Sequence, residues 1–170
     1  MDSYLLDTNV ASWLLDAGDK KHQGALNFVK GVGGDDLIYL SRVTIAEIEY
    51  GYKINPNVDK ARKKVIDQRI ALFQPREINR HTTEPYSEIR AALFRQFAPR
   101  NKRNLPKSKR SESLIDRTTG KELGIQENDI WIAAIAVQYN LVLVTQDEMR
   151  NIQQVLKKIH PKFQFISLPI

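Results

Sequence analysis

The sequence predicts an α/β fold: a central, mainly parallel sheet with helices on both faces. Three observations predict it. Short apolar runs (YLL at 4–6, LIYL at 37–40, LVLV at 141–144) alternate with longer stretches whose apolar residues recur at helical spacing. The run at 141–144 is aliphatic at every position, as in a strand buried on both faces. No internal repeat interrupts this rhythm, so the alternation reads as successive βα units joined by crossovers.

The elements follow in order. Tyr4-Leu5-Leu6 is a strand ended by Asp7-Thr8-Asn9, after which Val10, Trp13 and Leu14 mark a helix. A helix over about 24–30 carries Ala25, Leu26, Phe28 and Val29; a glycine- and aspartate-rich turn at 31–36 leads to the strand at 37–40. Thr44 opens a helix bearing Ile45, Ile48 and Tyr52, and Asn55-Pro56-Asn57 breaks the chain before a helix over about 58–73. Glu77-Ile78-Asn79 is a candidate third strand. Thr83-Glu84-Pro85 starts a helix with Tyr86, Ile89, Leu93 and Phe97 on one side. Asn128-Asp129 opens an apolar helix to Tyr139, the strand at 141–144 follows, and a helix over about 147–158 precedes a last strand at 163–167.

Composition bounds the function. A chain of 170 residues, 42% apolar and 27% charged, fits one globular domain over 1–170 with a sizeable core. With no cysteine, disulfides, thiolate metal sites and a cysteine nucleophile are excluded. The start MDSYLLDTNV lacks a basic region followed by an apolar one, and no run reaches membrane-spanning length, so a cytoplasmic protein is expected. The net charge of +6 favours polyanions such as RNA or DNA.

Residues 99–124 depart from the α/β rhythm. They are polar, contain two prolines, and carry Arg100, Lys102, Arg103, Lys107, Lys109 and Arg110 without an intervening acid. That is too long for an ordinary connection, so the segment reads as a basic insertion. It is either a solvated loop or a surface contacting RNA phosphates or an acidic partner. Without interleaved aromatics, backbone contact is the mode expected for RNA.

Four acids stand where strands end or helices begin: Asp7, Glu47, Asp129 and Asp147. The carboxyl ends of strands in an open α/β sheet face one crevice, so these acids are expected to converge. Each also has an innocent reading. Asp7 is a helix N-cap. Glu47 completes a capping box with Thr44. Asp129 is favoured in a first turn by the helix dipole, and Asp147 is a first-turn or turn residue. Convergence carries an electrostatic demand: two carboxylates about 4–5 Å apart repel by roughly 3–4 kcal/mol at an effective dielectric of about 20. Mg²⁺, with Mn²⁺ as a substitute, meets it, because hard cations prefer carboxylate and water oxygens. His22, His81 and His160 are isolated and read as surface residues, not metal ligands.

LLDTNV, TIAEIEYG, ENDIWIAAIA and LVTQD, with Gly51 four residues after Glu47, resemble in order the acidic motifs of PIN-domain ribonucleases, and above all VapC-type toxins of type II toxin–antitoxin systems. The resemblance covers most of the chain. It implies a PIN-like three-layer sandwich and a metal site of Asp7, Glu47, Asp129 and Asp147, supported by Thr8, Asn9 and Thr145. The basic insertion and Gln146 beside the last acid depart from the compact family pattern.

The activity implied is Mg²⁺-dependent endoribonuclease hydrolysis of RNA, leaving a 5′-phosphate and a 3′-hydroxyl. The partners implied are an antitoxin protein that covers the acids and a second copy of the toxin, as a homodimer or toxin–antitoxin hetero-oligomer. Trp13 and Tyr52 are either contact or core residues. Two rivals stand beside this reading. One is a catalytically inactive PIN-fold RNA-binding or regulatory module, against which the four acids speak. The other is a phosphotransfer receiver or phosphatase, against which speaks the lack of a second acid beside Asp7 and of a lysine just after 141–144.

Overall fold

Four short strands make one parallel sheet in the order β2-β1-β3-β4, with β1 Ser3–Leu6, β2 Leu37–Leu40, β3 Val142–Thr145 and β4 Phe165–Ser167. The structure, a computed structural model, describes residues 2–168 apart from positions 102, 107, 109, 147 and 148. The helices are α1 Thr8–Leu15, α2 His22–Gly31, α3 Arg42–Ile54, α4 Lys60–Ile70, α5 Thr83–Phe97, α6 Glu127–Gln138 and α7 Arg150–Ile159.

The pleat sorts the core into two layers, because alternate side chains of a strand face opposite sides. Leu5, Tyr39 and Leu143 pack with α5, α6 and α7. Leu6, Leu40 and Val144 pack with α1, α3 and α4. The result is a three-layer α/β/α sandwich. Helix α6 is buried almost all round, through Ile130, Ile132, Ile135 and the small Ala133, Ala134 and Ala136. That uniform apolarity is what a central helix needs.

The strand order has a functional consequence. From β1 the chain moves outward to β2, whereas β3 and β4 lie on the other side of β1. The order therefore reverses between β1 and β3, and their carboxyl ends flank the switch-point crevice where open α/β sheets bind ligands.

Three expectations need correction. Residues 77–79 form no strand. A single parallel bridge joins Arg76 to Ser41, with Arg76 N donating to Leu40 O at 2.8 Å. Pro75 has no N–H to extend the pairing, and the Asn79 side chain accepts from His81 N at 2.8 Å, bending the chain away. Helix α3 starts earlier than Thr44. Ser41 is its cap, its Oγ accepting from Thr44 N at 2.9 Å. His22 and His160 are half-buried rather than superficial: His22 Nδ1 lies 2.8 Å from Trp13 O, and His160 Nε2 lies 3.0 Å from Glu88.

The insertion is partly ordered by its own contacts. Arg100 bridges Pro106, Ile115 bridges Glu122, and Ser111–Ser113 is a turn of 3-10 helix. Leu114 and Ile125 are buried in the α5–α6–α7 layer. Trp13 and Tyr52 both pack against the other layer, so core packing accounts for them.

Candidate active site at the sheet switch point

Asp7 leaves the carboxyl end of β1 and is 2% exposed. Its N–H donates to Val144 O at 2.9 Å, which places it against the end of β3. Its Oδ1 accepts from Val10 N at 3.0 Å, so it does cap α1. Capping occupies one oxygen only, and Oδ2 accepts from the hydroxyl of Thr145, the last residue of β3. The helix cap and the candidate site acid are the same residue.

Glu47 shows the capping-box reading to be wrong. The Thr44 N–H is already satisfied by Ser41, and Glu47 points elsewhere. Its Oε2 accepts from the Thr8 hydroxyl and its Oε1 from Asn128 Nδ2 at 2.8 Å. One carboxylate therefore ties the start of α1 to the start of α6. Asn128 was not among the expected site residues, since an amide beside an acid has no distinguishing pattern.

Asp129 is the third residue of α6. Its Oδ2 accepts from Gln126 N at 3.1 Å in a capping box, so the expected first-turn role is real here too. Its position follows from the step before it, where Asn128 is held to Glu47. Asp7, Glu47 and Asp129 are thus joined by two peptide links and two hydrogen bonds, through Thr8 and Asn128. Asp147, the fourth expected acid, lies outside the described residues, as do Lys102, Lys107 and Lys109.

Two clefts open beside this path, and consecutive residues of α1 divide them. Asn9 lines one of about 440 Å³ with Asp129, Gln146 and Arg150. Thr8 lines another of about 250 Å³ with Glu47, Ser12, Asp16 and Asp19. In the second, a hydrogen bond from the Arg62 guanidinium holds the Asp16 carboxyl below the usual carboxylate range, against the opposing effect of burial.

The donor set suits a hard cation. Asp7, Glu47 and Asp129 offer carboxylate oxygens, and neither cleft is lined by a histidine. Among the described residues no three acids or histidines form a ready metal cluster. Arg103 and Arg110 are exposed, and Arg100 is exposed with its guanidinium on Asn104; none of the three lines either cleft. Among the described residues, no helix is long and apolar enough to cross a membrane.

The PIN domain family model matches residues 4–155. Solved structures resemble the chain along nearly its whole length. A chain of VapBC2 from Rickettsia felis, bound to a DNA fragment from its promoter, aligns with a TM-score of 0.64 at 20% identity, covering 97% of this chain and 98% of that one. VapBC-1 from nontypeable Haemophilus influenzae aligns with a TM-score of 0.64 at 19% identity, covering 99% of each chain. DNA-bound VapBC from Salmonella typhimurium aligns with a TM-score of 0.62 at 17% identity, again covering 99% of each. At these identities the likeness is one of fold. No curated protein sequence matches the chain.

Proposed function

The chain belongs to the PIN domain family, and from that premise we propose that it is a metal-dependent endoribonuclease, the toxin of a toxin–antitoxin pair, acting in the cytoplasm as a single domain over 1–170. One observation carries the reading. Glu47 accepts from both Thr8 and Asn128, the immediate chain neighbours of Asp7 and Asp129.

In this reading Asp7 and Asp129 are the principal ligands of a Mg²⁺ ion, with Glu47 and Asp147 completing the site directly or through water. A cation held there would lower the pKa of a water molecule and offset charge that develops on the phosphate. Thr145 orients the Asp7 carboxylate, and Thr8 and Asn128 orient Glu47. Asn9 lines the larger cleft, where it would meet the RNA strand. Water adds to phosphorus, the bond to the 3′-oxygen breaks, and that oxygen leaves as a hydroxyl. The exposed Arg100, Arg103 and Arg110, with Lys102, Lys107 and Lys109, supply phosphate contacts in an overall charge of +6. The antitoxin partner rests on the likeness to VapBC assemblies, and on acids that a partner's basic group would neutralise.

The test is to sequence RNA 5′ ends after brief expression of the chain, with Asp7→Asn as control. New 5′-phosphate ends in the wild type alone support the proposal; identical end profiles refute it. RNA binding without cleavage, and without dependence on Mg²⁺, would instead support an inactive RNA-binding module. A substrate with a single 2′-deoxynucleotide at the scissile position should still be cut; complete loss would point to attack by the 2′-hydroxyl.

A further inference from the structure

The return limb of the insertion, with the two residues that follow it (110–126), is latched to the helices beside the candidate site. Ser111 is 3% exposed, and its hydroxyl donates to Glu127 Oε2 at 2.5 Å. The other oxygen of Glu127 accepts from Arg90 Nη1 at 2.8 Å and from the Tyr86 hydroxyl. Tyr86 in turn stacks on Trp131, with ring centroids 3.7 Å apart. Ile115 N donates to Phe97 O at 3.1 Å, and Leu123 N to Leu114 O at 2.9 Å. These contacts fix the limb against α5 and the first turn of α6, immediately before Asn128 and Asp129.

That docking gives the larger cleft its second wall. Leu123 and Ile125 of the limb line the same 440 Å³ space as Asn9, Asp129, Met149 and Arg150. The volume lies within the range of about 300–1,000 Å³ typical of small-ligand sites. Its lining is divided in character. Asn9, Asp129 and Arg150 bring polar and charged groups, whereas Leu123 and Met149 bring half-buried apolar surface. A nucleotide has the same division, with a polar sugar-phosphate and a base whose faces are apolar.

We infer that this cleft is a nucleobase subsite beside the acids, taking one unpaired base of an RNA strand with its face against Leu123 and Met149. The inference rests on the nuclease reading. No aromatic ring lines the cleft among the described residues, so the base is held by apolar contact rather than by ring stacking. A base paired within an A-form duplex cannot splay into such a space, whereas a base in a loop or bulge can. The subsite selects single-stranded segments, and Ser111 acts on it as a positioning residue through Glu127.

The experiment measures binding and cleavage separately with the full chain. Fluorescence anisotropy in Ca²⁺ gives the affinity for a single-stranded RNA and for the same strand with abasic sites around the cleavage position. Leu123→Ser and Met149→Ser should each weaken binding of the intact strand by about tenfold, the scale of one lost apolar contact. Both should bind the abasic strand as the wild type does. Ser111→Ala should reproduce part of the loss and Ser111→Thr restore it, with Mn²⁺ affinity by calorimetry unchanged in all four variants. Equal affinity of wild type and both cleft variants for the intact strand overturns the subsite. Failure of the wild type to cleave any RNA or to bind Mn²⁺ overturns the nuclease reading instead, and the two failures are told apart because one is read in binding and the other in product.

Discussion

Glu47 and Asn128 stand 81 positions apart in the chain and 2.8 Å apart in space, with the Asn128 amide donating to the Glu47 carboxylate. The bond joins α3 to the start of α6 across the end of the sheet. With the Thr8 hydroxyl on its other oxygen, Glu47 fixes how Asp129 sits relative to Asp7. If the acids hold a cation, Asn128 sets their spacing without touching the substrate.

Asn128→Ala should therefore weaken Mn²⁺ binding and RNA cleavage by about 10–100-fold, the usual cost of losing a group that orients a ligand. Asn128→Asp, which sets a second carboxylate against Glu47, should be worse than alanine. Steady-state cleavage and calorimetry measure both effects. Wild-type activity in the alanine variant would sever the proposed link.

Asp7→Asn and Asp129→Asn should each reduce cleavage by at least about a hundredfold, as expected when the charge that holds a catalytic cation is removed. Neither should unfold the protein. Asparagine caps helices about as well as aspartate, so the change in unfolding free energy should stay within about 0.5 kcal/mol, or favour the variant through relief of like-charge repulsion. Denaturant melts alongside cleavage assays separate the two quantities.

A divalent ion that binds the folded chain must also stabilise it. At a Mg²⁺ concentration near 100 times its Kd, stability should rise by about 2.7 kcal/mol. A chelator should remove both that gain and the activity. Asp7→Asn should show no such gain. An equal Mg²⁺ response in wild type and variant would move the ion to another site.

The pair of Asp16 and Arg62 gives a pH prediction. Arg62 Nε donates to Asp16 at 2.9 Å and joins the end of α1 to α4. The carboxyl pKa is lowered, first by this hydrogen bond. A depressed acid adds stability above its unfolded value of about 3.9 and loses it as the pH falls through the lower folded value. Asp16→Asn should therefore melt below the wild type at neutral pH, with the gap closing under acid conditions and shrinking in salt. A gap that persists at low pH would mean that Asp16 acts through packing instead.

The sequence by itself determined the class of fold and supplied the acids as candidates. Continuous apolar runs at 4–6, 37–40 and 141–144 suit strands of a covered parallel sheet, although Leu37 at the start of β2 stays exposed, and the aspartate after the first run caps the next helix. Local chemistry was also misleading in places. Thr44 and Glu47 match a capping box, yet the box never forms because Ser41, one turn earlier, takes the Thr44 amide and leaves Glu47 to Thr8 and Asn128. Residues 77–79 read as a strand, but Pro75 and Asn79 stop the pairing after one bridge. The polar insertion hid three anchors, Ser111, Leu114 and Ile115, whose partners Glu127, Leu123 and Phe97 lie beyond turn or helix spacing. What only the tertiary structure decided was which donor each acid receives. Several donors of equal chemical merit compete for one carboxylate, and the winner is the one that packing brings within hydrogen-bond distance.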